Sequence, residues 1–241
     1  MIVLSIGTTH PWNVAGTGRD LVVGVELGAR VFTAVAAVSA QDARGVTALH
    51  AVAAEAFAAQ LAALPWDGAD AVRIGALPTL AAVTAVKEFV APRPALPVVV
   101  DPVFRASRGG ELSDSAARYG VRDELAPIPN VVLTPNLDEA AFMLGIETVG
   151  RDAIGSAAVA LRRRGCAAVL VTGGHLEGDP ADALATADGV EILSEPRIAG
   201  TMHGTGCTLA MALACELARG MPIAHAVRAA RAYVRAQLAR H

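Results

Sequence analysis

His203-Gly204-Thr205-Gly206-Cys207-Thr208 runs directly into a helical pattern over residues 209–219. Glycines let consecutive backbone N–H groups converge, and a helix start adds partial positive charge. The segment therefore reads as an anion hole that holds a transferring phosphoryl group without any lysine. The same helix start favours the thiolate of Cys207, which makes this side chain a base for a substrate hydroxyl. Taken alone, the six residues equally describe a glycine-rich helix cap followed by a buried cysteine. Asn136 and Glu139 stand one helical turn apart, an amide and a carboxylate suited to holding hydrated Mg²⁺ against nucleotide phosphates. In isolation that pair is also an ordinary cap. Asp101 before Pro102 is a further acidic candidate or a turn former, and His175 after Gly173-Gly174 is a further ligand or a solvent-facing loop histidine. Neither Gly204-x-Gly206 nor Gly16-x-Gly18 carries a third glycine three residues on, so a dinucleotide fingerprint is not supported. Lys87 is the only lysine, which excludes a Walker A loop and confines any lysine Schiff base to that residue.

These residues need a frame to bring them together. Short runs at 2–6, 31–38, 71–74, 98–100, 131–133 and 168–171 are mostly apolar throughout, as expected of strands covered by helices on both faces. Helical stretches at 53–64, 79–89, 137–144 and 154–163 lie between them and suit right-handed crossovers. The order predicts a parallel α/β sheet. Two short runs around Asp188-Gly189, within 182–193, predict an antiparallel hairpin edge with a type I′ turn. Ligands on such sheets bind beyond the carboxyl ends of the strands. Asp101-Pro102, Thr134-Pro135-Asn136 and Thr172-Gly173-Gly174-His175 all occupy such ends.

The chain has 241 residues, 54% of them hydrophobic, which is enough for one sizeable core. No Ser/Gly linker or charge block divides it, so a single domain over 1–241 is expected. A net charge of −3 gives no global drive toward nucleic acid or an anionic membrane. The uncharged stretch 198–215 raises the question of a membrane span, but Gly200, His203, Gly204 and Gly206 interrupt it. The opening residues lack a secretory pattern, and Cys166, Cys207 and Cys215 form no CxxC pair, so reduced thiols and a cytoplasmic location are expected.

In their order along the chain, four segments resemble the hydroxymethylpyrimidine/phosphomethylpyrimidine kinases of thiamine biosynthesis. They are Val100-Asp101-Pro102-Val103, Thr134-Pro135-Asn136-Leu137-Asp138-Glu139-Ala140, Gly173-Gly174-His175 and 203–208. Cysteine at 207 resembles that subgroup, since sugar-kinase relatives carry aspartate there. Ser39-Ala40-Gln41-Asp42, Val72-Arg73-Ile74-Gly75-Ala76-Leu77, Leu217-Ala218-Arg219-Gly220 and Ala226-Val227 extend the likeness over nearly the whole chain from Leu27 onward.

The resemblance implies a ribokinase-like three-layer sandwich, with a mainly parallel central sheet and an antiparallel edge. It implies ATP- and Mg²⁺-dependent phosphorylation of an aminopyrimidine, of its monophosphate, or of both in succession. Gly204, Thr205, Gly206 and Cys207 would hold the transferring group. Asp101 and Glu139 would serve the metal, and Asn136, Thr172, Gly174 and His175 the nucleotide. Gln41, Gly75, Val103, Arg105, Arg108, His10 and Asn13 would border the pyrimidine. A homodimer is expected, with no nucleic-acid or membrane partner.

The chain also departs from the family pattern. Residues 8–16 replace a glycine-rich loop, Thr172 stands where a lysine is usual, Ala76 where a methionine is expected, and Arg105 and Arg108 lie close to a lost lysine. Arg73, Arg105, Arg108 and His10 are thus expected to face a bound monoester and to favour the monophosphate as substrate; solvated loop arginines are the plain alternative. The rival readings are a kinase for pyridoxal or another vitamin-like heterocycle, and a non-catalytic pyrimidine-binding protein.

Overall fold

The computed structural model describes residues 1–42, 44–174, 176 and 178–240. Its strands are β1 (Ile2–Thr9), β2 (Arg30–Asp42), β3 (Gly45–Ala51), β4 (Ala71–Ile74), β5 (Val98–Val100), β6 (Val131–Leu133), β7 (Ala168–Val171), β8 (Ala181–Thr186) and β9 (Gly189–Ser194). They form one sheet in the order β3-β2-β1-β4-β5-β6-β7-β8-β9. The run from β2 to β7 is parallel, and β3, β8 and β9 pair antiparallel. Both edges are therefore antiparallel, where the sequence pointed to one. β3 escaped notice because all but one of its residues are half-buried or exposed, with few β-branched side chains.

Helices cover both faces. On one side lie α2 (Ala54–Ala63), α3 (Leu80–Val90), α4 (Ser115–Gly120), α5 (Leu137–Leu144) and α6 (Ile154–Arg162). The other side carries α1 (Gly16–Glu26), α7 (Thr205–Ala218) and α8 (Ile223–Leu238). Strand alternation divides the core between them. Leu4, Ile6, Val72, Ile74, Val98 and Val100 pack under the first group, while Val3, Ala71, Val99 and Leu170 pack under the second. Fully burying one such aliphatic side chain contributes roughly 1.5–3 kcal/mol, so both layers are held strongly.

After β1 the chain adds β2 on one side of it and later returns to add β4 on the other. This reversal opens a crevice at the carboxyl end of β1, the place where open α/β sheets take ligands. α1 enters the crevice from Gly16, whose φ of +60° and tight approach to the Thr8 carbonyl leave no room for a side chain.

The hairpin at Asp188-Gly189 is present, but its turn is not type I′. Gly189 has a φ of +135°, whereas Asn13 is the sole described residue other than glycine with positive φ, so Asp188 lacks the left-handed geometry required. Instead Asp188 N–H donates to Thr186 Oγ1 at 3.2 Å, a local side-chain turn that replaces the left-handed one. Among the described residues no helix is long and apolar enough to cross a membrane, and the uncharged stretch after 198 enters α7 only at Thr205.

Candidate active site

A cleft of about 440 Å³ opens above the strand ends, and α7 begins in its middle. Gly204 caps that helix with a φ of +75°, and a side chain there would collide with the Val14 carbonyl. The first turn therefore presents the N–H groups of Thr205, Gly206 and Cys207, which have no acceptor within the helix. Helix start and glycine geometry thus make the anion hole expected at 204–207.

One compartment of the cleft is lined by Gln41, Ala76, Val103, Ala106 and Leu112, with His10 at its edge. Ala76, Ala106 and Leu112 form a small apolar cluster with Val46, Leu49 and Val103. Apolar walls beside one amide suit a small heteroaromatic ring. The rest of the cleft, its second compartment, is lined by Thr172, Gly174, Ile198, Thr201, Val234 and Leu238, and Asn136 lines the same cleft.

Behind the anion hole lies a buried charge cluster that sequence reasoning missed. Arg73 projects from β4 on the same face as Ala71, under α1 and α7, and is 1% exposed. Its Nη1 donates to Asp20 Oδ2 at 3.1 Å and its Nη2 to Asp101 Oδ2 at 2.6 Å. Ser5 Oγ donates to the same Asp20 oxygen at 2.6 Å. Cys207 lies next to this cluster, where its thiol and the charges of Arg73 and Asp101 act on one another. Gly75 has to be glycine because a Cβ there would strike the Arg73 guanidinium. Two carboxylates share one guanidinium, and burial raises Asp20 to about 6 and also lifts Asp101.

Several expectations need correction here. Cys207 is not an activated thiolate: burial first, and then the Asp101 and Asp20 charges, push its thiol up to about 11 despite the helix start and Arg73. Desolvation outweighs the helix dipole in this position. Arg73 borders the cleft but is only 1% exposed, because alternation along β4 turns it beneath the helices, where Asp20 and Asp101 take its guanidinium. His10 is buried and its Nε2 accepts from Ala15 N–H at 3.2 Å, so the ring proton sits on Nδ1, which has no partner. Burial lowers its pKa, so it is a neutral donor rather than a cation. Asn13 does not line the cleft; its side chain lies against Gly18 of α1. Gly75 makes room for Arg73 and is likewise absent from the walls.

Arg105 borders the cleft and pairs with exposed Glu111 at 3.1 Å. Arg108 lies outside the wall itself and donates from Nε to His203 Nε2 at 3.0 Å, joining its loop to the entrance of the anion hole. His175 lies outside the described residues.

Asn136 and Glu139 form a full capping box on α5. Asn136 Oδ1 accepts Glu139 N–H at 2.9 Å, and Glu139 Oε2 accepts Asn136 N–H at 2.8 Å. Burial raises the pKa of Glu139 well above the ordinary value, with the nearby Asp101 charge acting in the same direction. The cap reading and the cleft position therefore hold together. Among the described residues no group of three or more His, Cys, Asp or Glu is placed to hold a metal ion. With Asp101 bound to Arg73 and Glu139 to the Asn136 N–H, these carboxylates would serve a metal through water rather than as its direct ligands.

The family model described as phosphomethylpyrimidine kinase matches residues 11–241. The chain belongs to the phosphomethylpyrimidine kinase family. A hydroxymethylpyrimidine/phosphomethylpyrimidine kinase of Rhizobium meliloti is 39% identical over 98% of this chain and 90% of its own length. One from Streptomyces coelicolor is 38% identical over 97% and 87%. Among solved structures, pyridoxal kinase from Staphylococcus aureus in complex with ADP superposes with a TM-score of 0.89 at 26% identity, over 99% of this chain and 88% of that one. The architecture is the ribokinase-like three-layer sandwich, with its mainly parallel sheet and antiparallel edges. Of the positions expected from the sequence to depart from the family pattern, Ala76, Thr8, His10, Ala15, Gly16 and Thr172 border the cleft.

Proposed function

We propose that this chain transfers the γ-phosphoryl group of ATP to 4-amino-5-hydroxymethyl-2-methylpyrimidine phosphate, giving the diphosphate used in thiamine biosynthesis. The pyrimidine lies against Gln41, Ala76 and Val103, ATP occupies the compartment of Thr172 and Gly174, and the transferring group sits over Gly204–Cys207. Family membership supports the reaction class, and the ADP-bound pyridoxal kinase supports a nucleotide in this fold. Asp101 and Glu139 are the residues that would face Mg²⁺, which would supply neutralisation of phosphate charge when bound with ATP.

The second phosphorylation step is supported by the burial of Cys207 behind the anion hole, which pushes its thiol up to about 11. An alcohol acceptor must lose a proton as it attacks, and a thiol offers no base for it. A phosphate monoester has its second pKa near 6 and is already ionised at neutral pH. For such an acceptor Cys207 is a hydrogen-bond donor that orients the attacking oxygen, while the N–H groups of α7 stabilise the charge on the transferring phosphoryl. Arg105 adds a cation at the cleft wall, and Arg108 reaches the cleft through His203.

Steady-state turnover with ATP and Mg²⁺, read by product mass, is measured for the monophosphate, the free hydroxymethylpyrimidine and pyridoxal. The monophosphate is expected to give the highest kcat/KM, and Arg105→Ala and Arg108→Ala are each expected to erode that preference. Equal use of both pyrimidines overturns the step assignment, and preferential use of pyridoxal overturns the substrate. Nucleotide bound without turnover of any of the three would identify a binding protein. The enzyme is further proposed to be a cytoplasmic homodimer; light scattering giving the mass of one chain would exclude the dimer.

A further inference from the structure

The glycine loop after β7 takes its shape from arginines supplied by distant elements. Gly173 N–H donates to Asp182 Oδ1 at 2.9 Å, and Asp182 Oδ2 accepts from Arg231 Nε at 2.8 Å. Arg231 reaches from α8 to the Leu193 carbonyl at 3.0 Å and to Glu195 at 3.0 Å, so one guanidinium joins α8 to β8 and to the end of β9. Asp182 and Arg231 are 9% and 8% exposed, a buried pair whose loss would leave an uncompensated charge. From the solvent side, Arg197 donates to the carbonyls of Gly174 at 3.2 Å, Leu176 at 2.5 Å and Gly178 at 2.8 Å. Its own N–H donates to Asp179 Oδ1 at 3.0 Å. A Cβ on Gly173 would strike the Ala181 carbonyl, so the loop backbone lies directly on β8. Asp182, Arg197 and Arg231 all border the cleft beside Gly174.

We propose that Arg231, acting through Asp182, and Arg197, acting directly, are positioning residues that preset the described loop positions 173, 174, 176 and 178 for the nucleotide. The inference rests on the reading that ATP occupies this compartment. A loop that is ordered before binding spares the ligand the entropy of ordering it, so releasing the clamp weakens nucleotide binding specifically. The pyrimidine compartment shares none of these contacts.

The test uses Arg197→Ala, an exposed site where folding is not endangered, together with Arg231→Met and Asp182→Asn. Binding of a non-hydrolysable ATP analogue is measured by calorimetry, KM is measured for ATP and for the pyrimidine, and amide hydrogen exchange is followed across the loop without nucleotide. Losing charge-assisted hydrogen bonds of this kind is expected to raise KM for ATP about tenfold, with KM for the pyrimidine changed by less than about twofold. Loop amides are expected to exchange faster in the nucleotide-free Arg197→Ala protein. Weaker nucleotide binding with unchanged exchange would make Arg197 a direct ligand and overturn the clamp. Unchanged ATP affinity in Arg197→Ala would also overturn it, as would an equal rise in both KM values. Wild-type protein that binds no nucleotide overturns the functional reading and the clamp with it, whereas normal wild-type binding that the variants leave intact overturns the clamp alone.

Discussion

Replacing Arg73 by methionine removes the one guanidinium that Asp20 and Asp101 share, at 3.1 and 2.6 Å. With arginine in place, burial already raises Asp20 from 3.8 to about 6. Between those values the folded chain holds a proton that the unfolded chain has released, so stability falls as pH rises through this window. The loss reaches about 3 kcal/mol once pH exceeds the folded value. Burial raises Asp101 in the same direction. Without the guanidinium the attraction that lowers both carboxyls is gone, and both move further up. If Asp20 then stays protonated to pH 8, the variant keeps losing about 1.4 kcal/mol per pH unit above 6, where the wild type has stopped losing it. The variant is therefore expected to be less stable than wild type by about 3–5 kcal/mol at pH 8, the range for a broken buried pair. At pH 5, where Asp20 is mostly protonated in both proteins, the difference is expected to be about 3 kcal/mol smaller. Urea unfolding followed by far-ultraviolet circular dichroism at the two pH values gives both differences from the midpoint and slope. A loss equal at pH 5 and pH 8, or below about 1 kcal/mol at pH 8, would refute the shared-guanidinium argument.

Raised thiol pKa values also predict slow alkylation. Cys166 and Cys207 at about 11 and Cys215 at about 12 should all react with iodoacetamide at neutral pH far more slowly than an unperturbed cysteine, with rates climbing about tenfold per pH unit. Rapid modification of Cys207 at pH 7, located by peptide mass, would restore the thiolate base. Glu139→Gln is expected to shift Mg²⁺ activation to higher metal concentration, with activity partly recovered there, because the carboxylate acts on metal-bound water. Unchanged metal dependence alongside a loss of stability would leave Glu139 as the partner of Asn136 in the helix cap alone.

Local pattern carries information wherever the constraint is local. Strands such as Val98–Val100 and Val131–Leu133 are apolar on both faces because helices cover both, and that uniformity is visible in sequence without a structure. The anion hole at Gly204–Cys207 is legible for the same reason: glycines and a helix start lie in one continuous segment. α1 was overlooked because its opening Gly-Thr-Gly and later β-branched residues disguise the helix, and with it went Asp20. The direction of Arg73 could not be read because alternation along β4 gives two faces, and only tertiary packing assigns one of them to α1 and α7. Cys207 carries the same lesson in its chemistry. Helix position is a local property and argued for a thiolate, but protonation is set by desolvation and by the carboxylates of Asp20 and Asp101, brought from α1 and from the end of β5. The Asp182–Arg231 pair joins residues 49 positions apart, across a hairpin and two helices, and charges at that separation have no signature in spacing. Sequence thus determines the buried central strands and the backbone anion site, whose physics is short-range; electrostatics, summed over whatever folding brings near, is decided by the tertiary structure.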